Sequence, residues 1–337
     1  MAYSHAKGFA AISDCQVVAC CDILPGRAKT FADEHGIPAA YESVQEMLEK
    51  EQLDAVSVVT PDVYHLQPVM QAIDKGLHVM CEKPLASSLE DAKTMAKAAA
   101  DKGVLTAMNF SYRKNPSTQE ASRLVAEGTL GKIIHVEGSY LQDWLSSTIW
   151  GDWRETPAFL WRLSVAHGSA GVLGDVGVHL YDLAGFVVGD IDKITCTLKT
   201  FDKGTPQIGE YVLDANDSMM ALAEFSNGAI GTLHASRWAT GQTNTVAIRV
   251  YGEKGGLDLN LDRPEEDQLR ICVGENVKTN TWESVVCPPV PNMYMRFIES
   301  IVQGRQGQTS FDGAVKVQAY LDASMKAAEK GCSVEIE

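Results

Sequence analysis

Two short stretches of this 337-residue chain carry side chains able to move a proton. Cys81-Glu82-Lys83-Pro84 closes an apolar run and supplies an ammonium. Gly174-Asp175-Val176-Gly177-Val178-His179, about 90 residues later, supplies a carboxylate and an imidazole. Oxidising a secondary alcohol takes a hydride from carbon and a proton from oxygen. An imidazole, unperturbed at ~6.5, suits the proton, and an ammonium beside the oxygen stabilises alkoxide character. Asp175 and His179 are four apart, so a helix through them stacks both on one face. There Asp175 can orient His179 or accept from a substrate hydroxyl. Lys83, Asp175 and His179 are therefore the candidate catalytic residues. Each also has a plainer reading: Lys83 as a surface turn before a proline, Asp175 as a helix N-cap, His179 as a satisfied core histidine. Asp182, three residues past His179, reads as structural.

These groups need a scaffold, and the first part of the chain spells one. Apolar runs at residues 16–21, 55–59, 77–80 and 104–108 alternate with helical patterns at 26–35, 44–51, 64–75 and 88–102. Ser88 is placed to cap the last of these helices and Gly103 to end it. Strands apolar throughout and joined by helices predict a doubly wound, Rossmann-like parallel sheet covered on both faces. Ligands of such sheets bind beyond the strands' carboxyl ends, where Asp22, Thr60, Glu82, Lys83 and Asn109 fall. Glu82 has a second reading, as the partner of a nearby cation. His65 reads as a ribose-side or helix-start residue.

A dinucleotide-binding domain opens with a strand, then G-x-G-x-x-G, then a helix. Here the sequence begins inside what reads as that helix, with Tyr3, His5, Phe9, Ala10 and Ile12 near its apolar side. About four buried aliphatics of a central strand contribute about 6–12 kcal/mol, comparable to the stability of a whole domain. We therefore expect residues upstream of Met1 in the natural protein. Asp22 lies where an acidic residue accepts from the adenine ribose hydroxyls. Ile23 and Leu24 follow it in place of a basic pair, which favours NAD; Arg27 leaves NADP open.

Beyond residue 115 the pattern changes. A helix near 118–127 precedes strand-like runs at 133–140, 194–199, 218–225, 229–236, 246–251, 257–261 and 268–273. Asn227-Gly228 and Lys254-Gly255-Gly256 are hairpin turns, and helices near 292–302 and 312–330 follow. The expected organisation is a dinucleotide-binding domain over residues 1–115. An α+β domain over 116–337, with a mostly antiparallel open sheet, would bind substrate and oligomerise.

Composition narrows the function classes. Net charge is −15 with no long basic run, against the positive footprint that nucleic acid demands. No apolar run reaches a membrane span of ~20 residues, and the first residues lack a signal pattern. The expected compartment is the cytoplasm. Eight cysteines form no C-x-x-C pair, which suits reduced, mostly buried thiols; no spacing supports a metal site.

The residues also resemble a known family. Residues 58–65 and 76–86, Phe159-Leu160-Trp161-Arg162, residues 174–182, Ala235-Ser236-Arg237 and residues 251–255 are similar to the glucose–fructose oxidoreductase/inositol dehydrogenase (Gfo/Idh/MocA) family. The resemblance covers nearly the whole chain, and the pairing of Glu-Lys-Pro with a downstream D-x-G-x-H is its specific part. It implies an NAD(P)-dependent oxidoreductase of sugars, inositols or related polyols, assembled as a homodimer or homotetramer. It places Thr60, Pro61, Glu82 and Lys83 along the cofactor, with Lys83 also near the reacting oxygen. Trp161 and Arg162 fall near the nicotinamide end, and Arg113 matches an arginine after the last strand of the first domain. Trp161 has a plainer reading as a core residue. The glycine loop is the departure from the family pattern. Some relatives oxidise a sugar transiently on tightly bound NAD, so a glycosidase or epimerase is an alternative outcome. A non-catalytic sugar or cofactor sensor is another.

Overall fold

The computed structural model describes residues 1–336. They form two compact units. One comprises Met1–Ser111 with Pro291–Val315; the other comprises Tyr112–Val290 with the chain from Lys316 onward. Among the described residues no helix is long and apolar enough to cross a membrane.

In the first unit the apolar runs become short parallel strands. β1 (Ala19–Cys21) pairs with β2 (Ala39–Tyr41), and β3 (Ala55–Val58) pairs with β4 (His78–Cys81), which pairs with β5 (Thr106–Met108). The two ladders are separate, and among the described residues no strand bridges β1 and β3. Five helices connect and cover them: α1 (Ala2–Ala10), α2 (Arg27–His35), α3 (Val44–Lys50), α4 (Leu66–Asp74) and α5 (Leu89–Lys102). The sequence signals at α5 operate as written: Ser88 Oγ accepts from Asp91 N at 3.1 Å, and Gly103 closes the helix at φ 67°. Such a cap contributes about 1 kcal/mol.

The expected division after residue 115 does not describe the whole chain, because Pro291–Val315 joins the first unit. The helix Met293–Gln303 buries Met293 and Phe297 against Phe9 of α1, Met80 of β4 and Ala107 of β5. Each large apolar side chain so buried contributes about 1.5–3 kcal/mol, which fixes where this segment belongs. Close approach also matters: a Cβ at Gly8 would stand 2.3 Å from the Tyr294 ring.

The second unit is built on one large sheet. Its elements in chain order are α6 (Pro116–Ala126), β6 (Ile133–Gln142), α7 (Pro157–Leu160), α8 (Val178–Val187), β7 (Ile191–Lys199), β8 (Gln207–Ile208), β9 (Tyr211–Val212), β10 (Ser218–Phe225), β11 (Ile230–Ser236), β12 (Asn244–Gly252), β13 (Gly255–Asn260), β14 (Leu269–Val273), β15 (Glu283–Ser284), the helix Phe311–Lys330 from Lys316 onward, and β16 (Val334–Glu335). Nine strands follow the order β15-β14-β13-β12-β6-β11-β10-β7-β16, antiparallel except where β11 runs parallel to β6. One face is apolar and covered. Along β10, Met219, Ala221, Ala223 and Phe225 are buried while Met220, Leu222 and Glu224 are exposed, the alternation of a half-buried strand. α8 packs across β6, β11 and β12 and is buried around nearly its whole circumference, as an apolar helix must be. Gly138 makes room for it: a Cβ there would sit 3.1 Å from Leu180 and 2.6 Å from Leu233.

Candidate active site

α8 does not begin as a regular helix. Leu173–Gly177 is wound as a π turn that runs into Val178, a distortion frequent at functional sites. The glycines that flank Asp175 permit it. A Cβ at Gly174 would meet Ala170 at 2.3 Å, and one at Gly177 would meet Met219 Sδ at 2.6 Å. Asp175 therefore lies in a widened turn rather than at an N-cap. Its carboxylate points to two guanidiniums: Arg237 Nη2 donates to Oδ2 at 2.9 Å, and Arg162 Nε stands 3.4 Å from the same oxygen. Asp175 remains 29% exposed. The carboxylate accepts from one guanidinium and faces a second.

His179 follows in the first turn of α8 and is nearly buried. The Tyr112 ring meets it edge-on at 5.1 Å between centroids and 83°, and Tyr140 lies 6.3 Å away. The two phenols are linked: Tyr112 Oη donates to Tyr140 Oη at 2.7 Å, and Tyr140 Oη donates to Asn244 Oδ1 at 2.9 Å. Gln142 Nε2 also donates to Asn244 Oδ1 at 2.9 Å, and Trp144 Nε1 donates to Gln142 Oε1 at 3.0 Å. Burial pushes the Tyr112 and Tyr140 hydroxyls above the ordinary phenol range, and the Asp175 charge pushes them further. Both stay protonated hydrogen-bonding groups at neutral pH. Tyr112, Tyr140, Asn244 and Arg237 were given no role by the sequence reading.

Trp161 and Arg162 occupy a 3₁₀ turn after α7, with the Arg162 guanidinium 4.7 Å over the Trp161 ring and bonded to the Ala158 carbonyl. Arg113 has a different surrounding from the one expected. Its guanidinium grips Asp182 of α8, with Nε donating to Oδ2 at 3.0 Å and Nη2 to Oδ1 at 2.6 Å, and lies 4.4 Å over the Phe186 ring. Burial pushes the Asp182 carboxyl up while Arg113 pulls it down. This buried fork anchors α8.

In the first unit the strand ends carry the residues expected there. Asp22 follows β1; its Oδ1 accepts from Leu24 N at 2.9 Å and its Oδ2 lies 3.4 Å from Arg27 Nε. Ile23, Leu24, Thr60 and Pro61 are exposed. Lys83 is half-buried, and its main-chain N–H donates to Glu82 Oε2 at 3.2 Å.

Glu82 and His65 are both buried, and His65 stands at the start of α4. Glu82 Oε1 accepts from Asn109 Nδ2 at 2.7 Å and pairs with His5 Nε2 at 2.8 Å, while His5 Nδ1 meets Ser57 Oγ at 2.7 Å. Burial pushes the Glu82 carboxyl up, but the His5 and Asn109 hydrogen bonds outweigh it and bring it down to about 2. The partner that closes on Glu82 is a histidine from α1, a residue the sequence pattern placed only on an apolar face. His65 is fully buried, with Nε2 2.7 Å from the Thr60 carbonyl and Nδ1 3.0 Å from that of Pro84. It staples the 60–65 loop to the segment after Lys83.

Among the described residues no group of three His, Cys, Asp or Glu stands close enough to hold a metal ion. Of the eight thiols, none in a disulfide, only Cys81, Cys196 and Cys272 are buried; Cys332 is exposed and the rest are half-buried.

Comparison with known proteins adds to this geometry. The family described as "Oxidoreductase family, NAD-binding Rossmann fold" matches residues 1–110, and the "GFO/IDH/MocA C-terminal domain" matches 118–258. Levoglucosan dehydrogenase of Pseudarthrobacter phenanthrenivorans is 28% identical over 93% of this chain and 87% of its own length. D-glucoside 3-dehydrogenase of Escherichia coli is 26% identical over 98% and 93%. Scyllo-inositol 2-dehydrogenase (NAD(+)) of Bacillus subtilis is 29% identical over 82% and 75%. Among solved structures, an oxidoreductase domain protein from Kribbella flavida superposes with a TM-score of 0.88 at 26% identity, over 100% of this chain and 96% of that one. Levoglucosan dehydrogenase in complex with NADH and levoglucosan gives a TM-score of 0.88 at 24% identity, over 100% and 97%, a likeness of fold.

Proposed function

The chain belongs to the Gfo/Idh/MocA oxidoreductase family and is an NAD-dependent sugar or polyol oxidoreductase, and we propose that Lys83, Asp175 and His179 carry its proton chemistry. When bound, NAD accepts or returns the hydride at its nicotinamide. The residues present suit the adenosine end: Asp22 is an acceptor for ribose hydroxyls, and exposed Ile23 and Leu24 offer apolar surface beside it. Thr60, Pro61, Lys83 and Trp161 would line the rest. Arg162 joins them as the partner of both Trp161 and Asp175.

His179 takes the proton of the reacting hydroxyl at a ring nitrogen. The Lys83 ammonium supports the oxygen as it gains negative charge. Asp175 accepts from a neighbouring hydroxyl and fixes the ring's orientation. The observation that carries this division of labour is the Asp175 carboxylate, held by two guanidiniums four residues before an imidazole. A carboxylate engaged in this way serves as an acceptor, and the proton falls to the imidazole. Levoglucosan, a glucoside and an inositol are the first substrates to try, from the names of the relatives. The test is absorbance of reduced nicotinamide when the protein is mixed with NAD and that panel. Turnover of one of them supports the reading, and no turnover of any overturns it.

The first unit serves the dinucleotide and the second the substrate and self-association. Register puts Met220 and Leu222 of β10 and Ile230 of β11 on the same open face of the sheet, all exposed. A homodimer or homotetramer would cover it. Light scattering of wild type and Leu222→Glu tests this; a smaller assembly for the variant is expected, and a monomeric wild type overturns it. The compartment we assign is the cytoplasm, where eight unpaired thiols stay reduced.

A further inference from the structure

Arg237 follows β11, and its side chain is 0% exposed. No substrate can touch it, yet its guanidinium joins three parts of the candidate site. Nη2 donates to Asp175 Oδ2 at 2.9 Å and to the Gly171 carbonyl at 3.4 Å, and Nη1 donates to the Arg162 carbonyl at 3.0 Å. The guanidinium plane lies over the Trp144 ring at 5.0 Å, and Nε is buried without a protein partner. Asp217, behind it, receives the Arg237 main-chain N–H on its carbonyl at 3.0 Å and spends its carboxylate on Lys203 at 2.6 Å.

A buried cation is costly unless an anion and further acceptors compensate it, and apolar side chains of the same volume are often as stable. An arginine here therefore asks for a reason beyond stability. The fork geometry supplies one. Two carbonyls fix the guanidinium, and it in turn fixes one oxygen of a carboxylate whose side chain is still 29% exposed. We propose that Arg237 is a positioning residue for substrate recognition: it holds Asp175 as an ionised acceptor in one orientation and ties the Trp161-Arg162 turn to it. This rests on the reading of Asp175 as the substrate's hydroxyl acceptor. Burial lowers the affinity of the guanidinium for its proton and Asp175 offsets part of that loss.

The test is a double-mutant cycle on the full-length protein with NAD and the best substrate of the panel. It reads kcat, KM and the thermal midpoint for wild type, Asp175→Asn, Arg237→Gln and the double variant. Arg237→Gln is expected to lose about 100-fold in kcat/KM, mainly through KM. If Arg237 acts through Asp175, the double variant loses no more than Asp175→Asn alone. It also melts above Asp175→Asn, in which the buried guanidinium has lost its carboxylate. Multiplicative losses, or wild-type KM in Arg237→Gln, overturn the proposal. Should Arg237→Gln show no cooperative melting, Arg237→Lys takes its place in the cycle. It keeps the charge and loses the fork, so a raised KM is expected and an unchanged KM overturns the proposal. Full activity of Asp175→Asn alone would instead break the reading of the site.

Discussion

Glu82 and Asp175 are both carboxylates of motif residues beside a proposed catalytic group, and they are used in opposite ways. Glu82, 5% exposed, is satisfied by donors around it: His5 of α1, Asn109 beyond β5 and the Lys83 main chain. Asp175 is 29% exposed and gives one oxygen to buried Arg237 and half-buried Arg162. Burial with neutral or titratable donors makes Glu82 a knot that ties a helix to two strand ends. Partial exposure with permanent cations makes Asp175 a fixed charge still available to a ligand. Residue type and motif position do not separate these uses; the donors and the solvent do.

The comparison breaks most readily at the neighbours of the two carboxylates. His179→Ala is expected to lower kcat about 10²–10⁴-fold, the range for removal of a general acid/base, with folding retained. Lys83→Met is expected to lose a comparable factor, because an ammonium beside the developing alkoxide is an electrostatic stabiliser. Steady-state kinetics of both variants check this. If Lys83→Met keeps its kcat, the Glu82 region contributes architecture alone, and the chemistry belongs entirely to the second unit.

The next effect is on stability and separates Glu82 from Asp175 by pH. Folded Glu82 titrates near 2 against 4.5 for the free side chain. Its contribution is complete above about pH 4.5 and is lost as pH falls toward 2. A depression of that size corresponds to about 3 kcal/mol. Glu82→Gln should therefore be less stable than wild type at pH 7 by about that amount, and the gap should close on acidification through that window. Denaturant midpoints at several pH values measure it. A gap that is constant with pH would mean the His5–Glu82–Asn109 knot acts by shape and not by charge.

Much of this architecture was legible in the sequence, because local periodicity reports it. Ser88 and Gly103 bracket α5 as read, and the strand-like run at 218–225 is β10. What escaped was long-range pairing. His5 meets a partner 77 positions away, and a helical pattern says only which face is inward, not what polar group waits there. The helix Met293–Gln303 was recognised as a helix and assigned to the wrong unit for the same reason. The π turn had no signal beyond Gly174 and Gly177. Arg237 did have one: Gly231, Leu233 and Ala235 of β11 are inward, and the same parity puts residue 237 inward, so a charge there demanded a buried anion.

Asp22 extends the comparison to a third setting and to the smallest effect. Its side chain is 33% exposed, its one cationic neighbour, Arg27, is largely in solvent, and no buried donor depends on it. The salt bridge is worth little at such exposure, so Asp22→Ala should melt like wild type. Its expected loss is one hydrogen-bonded contact to the ribose, about a tenfold rise in the KM for NAD with kcat unchanged. Removing the carboxylate also leaves Arg27 beside the position of a 2′-phosphate, so the ratio of NADP to NAD turnover should rise. KM values for both cofactors and a melting curve read this out together. A destabilised Asp22→Ala would place this carboxylate with Glu82, as scaffold. An unchanged KM for NAD would mean that the end of β1 is not where the ribose is held.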